Sequence, residues 1–296
     1  MKERTGILLC LLASFLWGMA FVAQSSVTGV MGALSFNGIR SLIGFVVLLP
    51  MVIRILKSHK GDKKYYRSLV IATLACGAPL FIATNLQQWG IEYTTAGKAA
   101  FITALYTLIV PILSVLLKKK VTLRNWICVG IGLVGAFLLS INGDSGIGYG
   151  DMLVLICSFF FALQIVLIDV LAKDLDGIEL SAFQFLLCGV LGCTVGFATE
   201  PISWEIVRQT QVPILYAGIF SCGIAYTLQT VCLKYVNATK ATLALSMESA
   251  WGAIGGAVLL GEMLSVKELF GCLLLFSAVI VSQLPEKMKK SAESTK

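Results

Sequence analysis

Charge is what this chain has least of: 13% of its 296 residues are Asp, Glu, Lys or Arg. A soluble domain carries charge on about 25% of its residues, enough to cover a water-facing surface. Half that density excludes an aqueous globular protein, whether doubly wound sheet or soluble barrel, and the 57% hydrophobic content agrees. With a mean hydropathy of +0.89, the solvent to expect is lipid. Other absences narrow the chemistry. There is one histidine, His59, in a basic loop, and none of the nine cysteines forms a CxxC pair. All nine cysteines fall inside apolar runs and read as small packing residues rather than a disulfide framework. Neither a metal nor another cofactor is expected. No GxxxxGK[ST] stretch is present, so this chain alone does not hydrolyse ATP through a P-loop.

What the chain does have is a succession of apolar runs. They lie near 5–24, 33–53, 67–89, 95–117, 123–141, 150–171, 179–199, 212–234, 239–260 and 267–284. A helix of about 20 residues spans about 30 Å of hydrocarbon and satisfies its own backbone there. The short joints leave no room for a soluble domain. The first run, 6–23, follows Lys2 and Arg4; it is long for a signal-peptide core and reads as a retained span. With the amino terminus placed in the cytoplasm, segments on that side hold 19 of the 23 Lys and Arg residues. The other side holds Lys98, Arg208 and Lys267, and Arg40 lies within a run. This imbalance predicts a multi-pass protein of the cell membrane with both termini cytoplasmic. The net charge of +7 then reflects topology and contact with the lipid bilayer's anionic headgroups, so no nucleic acid partner is expected.

The stretch ATNLQQWGIEYTTAGKA at 83–99 matches AYTLQTVCLKYVNATKA at 225–241 at seven of seventeen positions without gaps. The identities include Gln87 with Gln229, Tyr93 with Tyr235 and Lys98 with Lys240, which shared hydrophobicity does not explain. SFLW at 14–17 and SFFF at 158–161 match more weakly, at a slightly different offset. The expected fold is an all-α polytopic membrane protein of ten transmembrane helices, built as two five-helix repeats. The first would cover 1–143 and the second 148–286, with a cytoplasmic basic tail at 287–296. Five is odd, so the second repeat must enter the membrane inverted. Inverted repeats in secondary transporters enclose a substrate site near the midplane.

Several short motifs carry little chemistry. GIGLVG at 130–135 has GxGxxG spacing but no preceding strand, so Gly130, Gly132 and Gly135 read as helix-packing positions, as do Gly252 and Gly256. NAT at 237–239 fits a glycosylation sequon but falls in a tight joint on the cytoplasmic side. Polar residues inside the runs say more. Arg40 lies about seven residues into the second run and Glu248 about nine into the ninth; a charge at the bilayer centre costs about 2.5–3.5 kcal/mol on insertion scales. Glu248 admits two readings. One is a carboxylate in a wet cavity that senses an amino group, another cation or a proton; the other is a structural carboxyl paired with a hydroxyl or with Arg40. Arg40 reads as a structural charge that snorkels outward. Trp17, Phe21 and Gln24 share one helical face, as do Asn85 and Gln88, Thr103 and Tyr106, Phe161 and Gln164, Tyr226 and Gln229, and Glu248 and Trp251. Apolar walls with a few placed polar groups suit a small organic ligand.

ASFLWGMAFV at 13–22 resembles the WG-containing first helix of the EamA-type proteins in the drug/metabolite transporter superfamily. IRSLIGFVVLL at 39–49 is similar to that family's arginine-led second helix, with Arg40 as the arginine. VLLGEMLSVKELFGCLLLFSAVIV at 258–281 resembles its closing signature, in which Gly261 and Glu262 form the Gly-Glu pair before the last helix. Glu262 is accordingly expected to be a second structural charge. Ser249 follows Glu248 where many members carry proline, and Lys119 and Lys120 stand where the first half would carry Gly-Glu. The resemblance implies a carrier for small metabolites; members handle amino acids, other metabolites and drugs, and export is common. The expected function is a secondary transporter, monomer or homodimer, that moves an amino acid or related small-molecule substrate outward by alternating access. Trp17, Phe21, Phe161, Tyr226 and Trp251 would supply apolar contact, with Asn85, Gln88, Tyr106, Gln164, Gln229 and Glu248 setting polarity. An integral-membrane enzyme is the first alternative, weakened by short loops and the lack of a His/Asp/Ser constellation. A non-transporting membrane adaptor is the second, with the basic loop 54–67 or the tail as its docking segment.

Overall fold

The computed structural model describes residues 3–94, 96–140, 148–252, 254 and 266–284. Gly256, Gly261, Glu262 and the tail at 287–296 lie outside these residues. The described chain runs through α1 (Glu3–Ser25), α2 (Ala33–Ser58), α3 (Lys63–Ile91), α4 (Ala96–Ala104), α5 (Tyr106–Leu116), α6 (Leu123–Ser140), α7 (Tyr149–Leu171) and α8 (Gly177–Thr199). A short α9 (Trp204–Gln209) leads to α10 (Gln211–Tyr216), which continues through a π-helix (Ala217–Tyr226) into α11 (Thr227–Cys232). Then come α12 (Ala238–Leu245), α13 beginning at Glu248, and α14 (Val266–Gln283).

Local chemistry sets several helix starts. Asp62 accepts from the Tyr65 N–H at 2.9 Å to open α3, and Asp176 accepts from the Ile178 and Glu179 N–H groups to open α8. Asn237, the asparagine of the NAT motif, accepts from the Lys240 N–H at 2.9 Å and caps α12. The start of α2 is different. Its Leu34 and Ser35 N–H groups donate to Glu200 at 3.0 and 2.8 Å, so a carboxylate at the end of α8 satisfies and charge-stabilises it.

The surface is the reverse of a soluble protein's. On α3, Leu69, Ala72, Cys76 and Leu80 are buried while Val70, Ile71 and Leu74 are exposed, so apolar side chains clothe both faces. Polar Ser14, Asn37, Asn85, Gln88, Gln164 and Gln184 are all buried instead. Such a surface is stable only against hydrocarbon, and seven described helices are long and apolar enough to cross a membrane. The protein is therefore a multi-pass membrane protein. Of the ten expected runs, the fifth and tenth correspond to α6 and α14, of 18 residues each, and the ninth is only partly described.

Helices from the two ends of the chain interleave. α2 packs chiefly on α8, α3 on α7 and α6 on α14, while α1 lies along the π-helix, α11 and α12. Individual contacts also recur with their partners exchanged. The alignment that sets Gln87 on Gln229 carries Ala100 onto Thr242 and Thr107 onto Ser249. Thr107 Oγ1 donates to the Thr242 carbonyl at 3.3 Å, and Ser249 Oγ donates to the Ala100 carbonyl at 3.4 Å. Gly6 abuts Cys232, Tyr235 and Val236, while Gly150, its partner under the SFLW/SFFF alignment, abuts Gly90 and Tyr93. Likewise Gly77 abuts Gln184 and Leu187 as Gly218 abuts Arg40 and Ile43. From Gly77 to Ala83 the first half has one residue fewer than the second has from Gly218 to Ala225, and the π-helix absorbs the extra one. Matching segments also break together: α4 gives way to α5 at Leu105, and α12 to α13 at Ser246 and Met247.

The glycines of GIGLVG do not act alike. A Cβ on Gly135 would lie 2.7 Å from the Gly271 carbonyl oxygen, whereas Gly130 has nothing within 4 Å. Gly130 is thus not a packing position, because five residues turn it about 140° from the face α14 covers. Gly135→Val is expected to lower stability by about 1–3 kcal/mol through overpacking, and Gly130→Ala to leave it unchanged or slightly higher. Thermal unfolding in detergent reads both; equal effects would contradict this packing.

Candidate functional site

A small cavity of about 30 Å³ lies where α1, α2, α3, the α4–α5 break, α7, the π-helix, α11 and α13 meet. Aromatic rings form much of its wall: Tyr226 lies 4.6 Å from Trp17 and 6.5 Å from Phe161 between ring centroids. Phe21 and Ile165 add apolar surface. The polar lining comprises Gln24, Arg40, Gln87, Thr103, Tyr106, Ser221, Gln229 and Glu248.

The two helix breaks position the most polar pair. Tyr106 opens α5 just after Leu105, and Glu248 opens α13 just after Met247. Glu248 is 3% exposed, and its Oε1 accepts from the Tyr106 hydroxyl at 3.2 Å. The repeat alignment that pairs Gln87 with Gln229 also pairs Tyr106 with Glu248, so equivalent positions of the two halves meet here. Trp17 with Phe161, and Phe21 with Ile165, are further equivalent pairs on the cavity wall.

Of the expected substrate-contacting residues, Trp17, Phe21, Tyr106, Phe161, Tyr226, Gln229 and Glu248 line this cavity. The other four are engaged beside it. Asn85 accepts from Asn37 Nδ2 at 3.0 Å and donates to the Phe81 carbonyl at 2.7 Å. Gln88 donates to the Gln24 carbonyl at 3.1 Å. Trp251 sits edge-on to Phe15 and Phe276, 5.5 and 5.8 Å away. Gln164 belongs to a chain of amides: Gln229 Nε2 donates to Gln164 Oε1 at 3.2 Å, and Gln164 Nε2 donates to Gln184 Oε1 at 3.1 Å.

Gln87, Ser221 and Ala20 are lining residues that helical periodicity did not single out. The identity of Gln87 with Gln229 was the available signal for the first; Ala20 and Ser221 carried none. Arg40 differs most from expectation. It is 2% exposed and sits in the cavity wall, its guanidinium 5.2 Å from the Phe36 ring centroid, so it does not snorkel. Among the described residues it makes no hydrogen bond or ion pair, with Glu248 or otherwise, and its buried Nε has no partner.

A lipid-facing helical bundle around a small mixed-polarity cavity is the architecture of a membrane protein that handles small solutes. Residues 4–141 and again 148–283 match the EamA-like transporter family, to which the chain belongs. It is 29% identical to an uncharacterized transporter of Archaeoglobus fulgidus over 92% of this chain and 84% of that one. It is 22% identical to the uncharacterized transporter YoaV of Bacillus subtilis over 94% and 96% of the two chains. A crystal structure of a protein 16% identical in sequence has the same fold, with a TM-score of 0.78 over 96% of this chain and 97% of that one. Family and relatives point to transport rather than catalysis.

The amide chain supports the cavity wall and can be tested directly. Gln164→Leu removes the acceptor of Gln229 and the donor to Gln184, and is expected to cost about 1–3 kcal/mol because buried amides lose their partners. The measurement is the unfolding midpoint in detergent; no shift would mean that the chain is not a structural support.

Proposed function

We propose that this protein is a secondary carrier that moves a small metabolite, an amino acid or related compound, across the cell membrane by alternating access. The observation that carries the reading is the cavity's position: it lies where equivalent residues of the two matched halves face each other. The exchanged contacts, above all the Thr107–Thr242 and Ser249–Ala100 bonds, support a ten-helix arrangement of two inverted five-helix repeats. In such carriers the halves rock about a site built on broken helices, the setting of Tyr106 and Glu248 here.

One end of the bundle is tied shut. Lys119 pairs with Asp169, Lys240 Nζ reaches Glu3 at 2.7 Å, the Tyr65 hydroxyl donates to Glu179, and Lys234 Nζ donates to the Leu175 carbonyl. All four links lie at the end where α1 begins. The cavity runs from Glu248 toward Gln24, near the other end of α1. With the basic residues concentrated at the tied end, that end is read as cytoplasmic, both termini included, and the conformation as outward-facing. Partly exposed ion pairs are weak enough to break and re-form during a transport cycle. Efflux would load the cavity after these links open.

The test is flux in proteoliposomes against a metabolite panel, with and without a pH gradient. Saturable flux is expected, and Glu248→Gln should lower it about tenfold or shift its pH dependence while the protein stays folded. Vesicles containing wild-type protein that move every panel member no faster than empty vesicles would overturn the carrier reading. Unchanged Glu248→Gln flux from pH 5 to 8 would leave Glu248 a structural role.

A further inference from the structure

The two ionisable groups of opposite type in the cavity, Arg40 and Glu248, do not pair with each other. Glu248 accepts a hydrogen bond from Tyr106, whereas Arg40 makes no hydrogen bond or ion pair among the described residues. Its ionisable neighbours are the thiols of Cys188 and Cys222 and the phenol of Tyr226, none a carboxylate. A guanidinium presents a planar fork of five N–H donors and no acceptor. Left buried without a counter-charge, it is costly, and the Phe36 ring offsets only part of that cost.

The other half of the molecule indicates that the fold does not require this charge. Gly218 approaches Arg40 as Gly77 approaches Gln184, so Gln184 holds in the second half the place Arg40 holds in the first. There a neutral amide suffices, locked to Gln164 and through it to Gln229. The first-half counterparts of Gln184, Gln164 and Gln229 are Arg40, Ala20 and Gln87. Ala20 is too short to bridge as its glutamine counterpart does and lines the cavity instead, and Gln87 turns to Thr103, donating to its Oγ1 at 3.1 Å. One side of the pair is thus closed by an amide chain. The other is open, with an unpaired cation beside the opening.

We infer that Arg40 is the anion-recognising group of this cavity and that the cargo carries a carboxylate, bound by the guanidinium fork beside Ala20. A carboxylate matches the fork in shape and its single charge in number. A phosphate would bring about two negative charges to one cation, with Glu248 bordering the same cavity. The Glu248 carboxyl and Tyr106 hydroxyl, on the same cavity, offer acceptors to a donor at the cargo's other end, such as an ammonium, with its apolar body against Trp17, Phe21 and Tyr226. The inference rests on the carrier reading for the purpose of the site and names its substrate class.

The experiment compares small carboxylic acids with their own primary amides, among them leucine with leucinamide and 4-methylpentanoate with 4-methylpentanamide. The purified full chain is assayed for ligand-induced thermal stabilisation in detergent and for flux in proteoliposomes. Acids are expected to bind and move at least about tenfold better than the matched amides, because a site built around a hydrogen-bonding partner rejects analogues that lack it. Arg40→Gln copies Gln184; it should unfold at the wild-type temperature and lose the acid preference. Ala20→Gln combined with Arg40→Gln should rebuild the amide chain and abolish binding. Should Arg40→Gln fail to fold, Arg40→Lys serves instead: binding of acids at wild-type strength would overturn the forked pairing. Acids and amides served equally, or an acid preference surviving in folded Arg40→Gln, would overturn the inference while leaving the carrier reading intact. Acid binding without flux would do the converse. No response to any acid by either measurement would also overturn the inference.

Discussion

Hydrocarbon offers no hydrogen bonds, and the organisation of this molecule follows from that constraint. Polar side chains that would coat a soluble protein are turned inward, where each needs a partner or a wet space. Most find partners at long range. Glu200 caps a helix from far along the chain, Asn37 bonds Asn85, and Gln229, Gln164 and Gln184 form a chain between α11, α7 and α8. Arg40 and one edge of the Glu248–Tyr106 pair border the cavity described above instead. Structural support and candidate binding surface are thus drawn from the same kinds of residue.

The exchanged contacts bear on which role a residue takes. Two similar halves packed face to face would tend to satisfy their polar groups in the same way. The hydroxyl-to-carbonyl bonds of Thr107 and Ser249 follow this rule, as do the glycine approaches at Gly6 and Gly150. Departures from the rule then mark positions where something other than the shared fold has acted. Ala20 against Gln164 and Arg40 against Gln184 are two such departures side by side, and they open the cavity on one side only. The breaks at Leu105 and at Ser246–Met247 keep the correspondence while placing unlike residues, Tyr106 and Glu248, in contact.

Much of this was legible in the residues. The scarcity of charge established lipid as the solvent, and the identities between 83–99 and 225–241 carried a duplication that the two family matches also span. Helical spacing picked out Trp17, Phe21, Tyr106, Phe161, Tyr226, Gln229 and Glu248 because a cavity between helices is lined by one face of each. The same spacing also selected Asn85, Gln88, Gln164 and Trp251, since a face that points inward can meet a neighbouring helix instead of open space. Periodicity cannot tell these apart. Two other readings failed for the same reason: the motif glycine Gly130 faces outward, and Arg40, which an isolated helix would let snorkel, is held inside by α8 and the π-helix.

By itself, then, the sequence determined the medium, the helical class, the duplicated plan and the faces that turn inward, because these depend on composition and on the period of a single helix. Only the tertiary structure decided which inward polar groups are paired and which face an opening. Partnership is a property of two segments far apart in the chain, such as Gln164 with Gln229 or Tyr106 with Glu248, and of the volume left by a third residue such as Ala20. That depends on how the helices cross, which no local pattern of residues records.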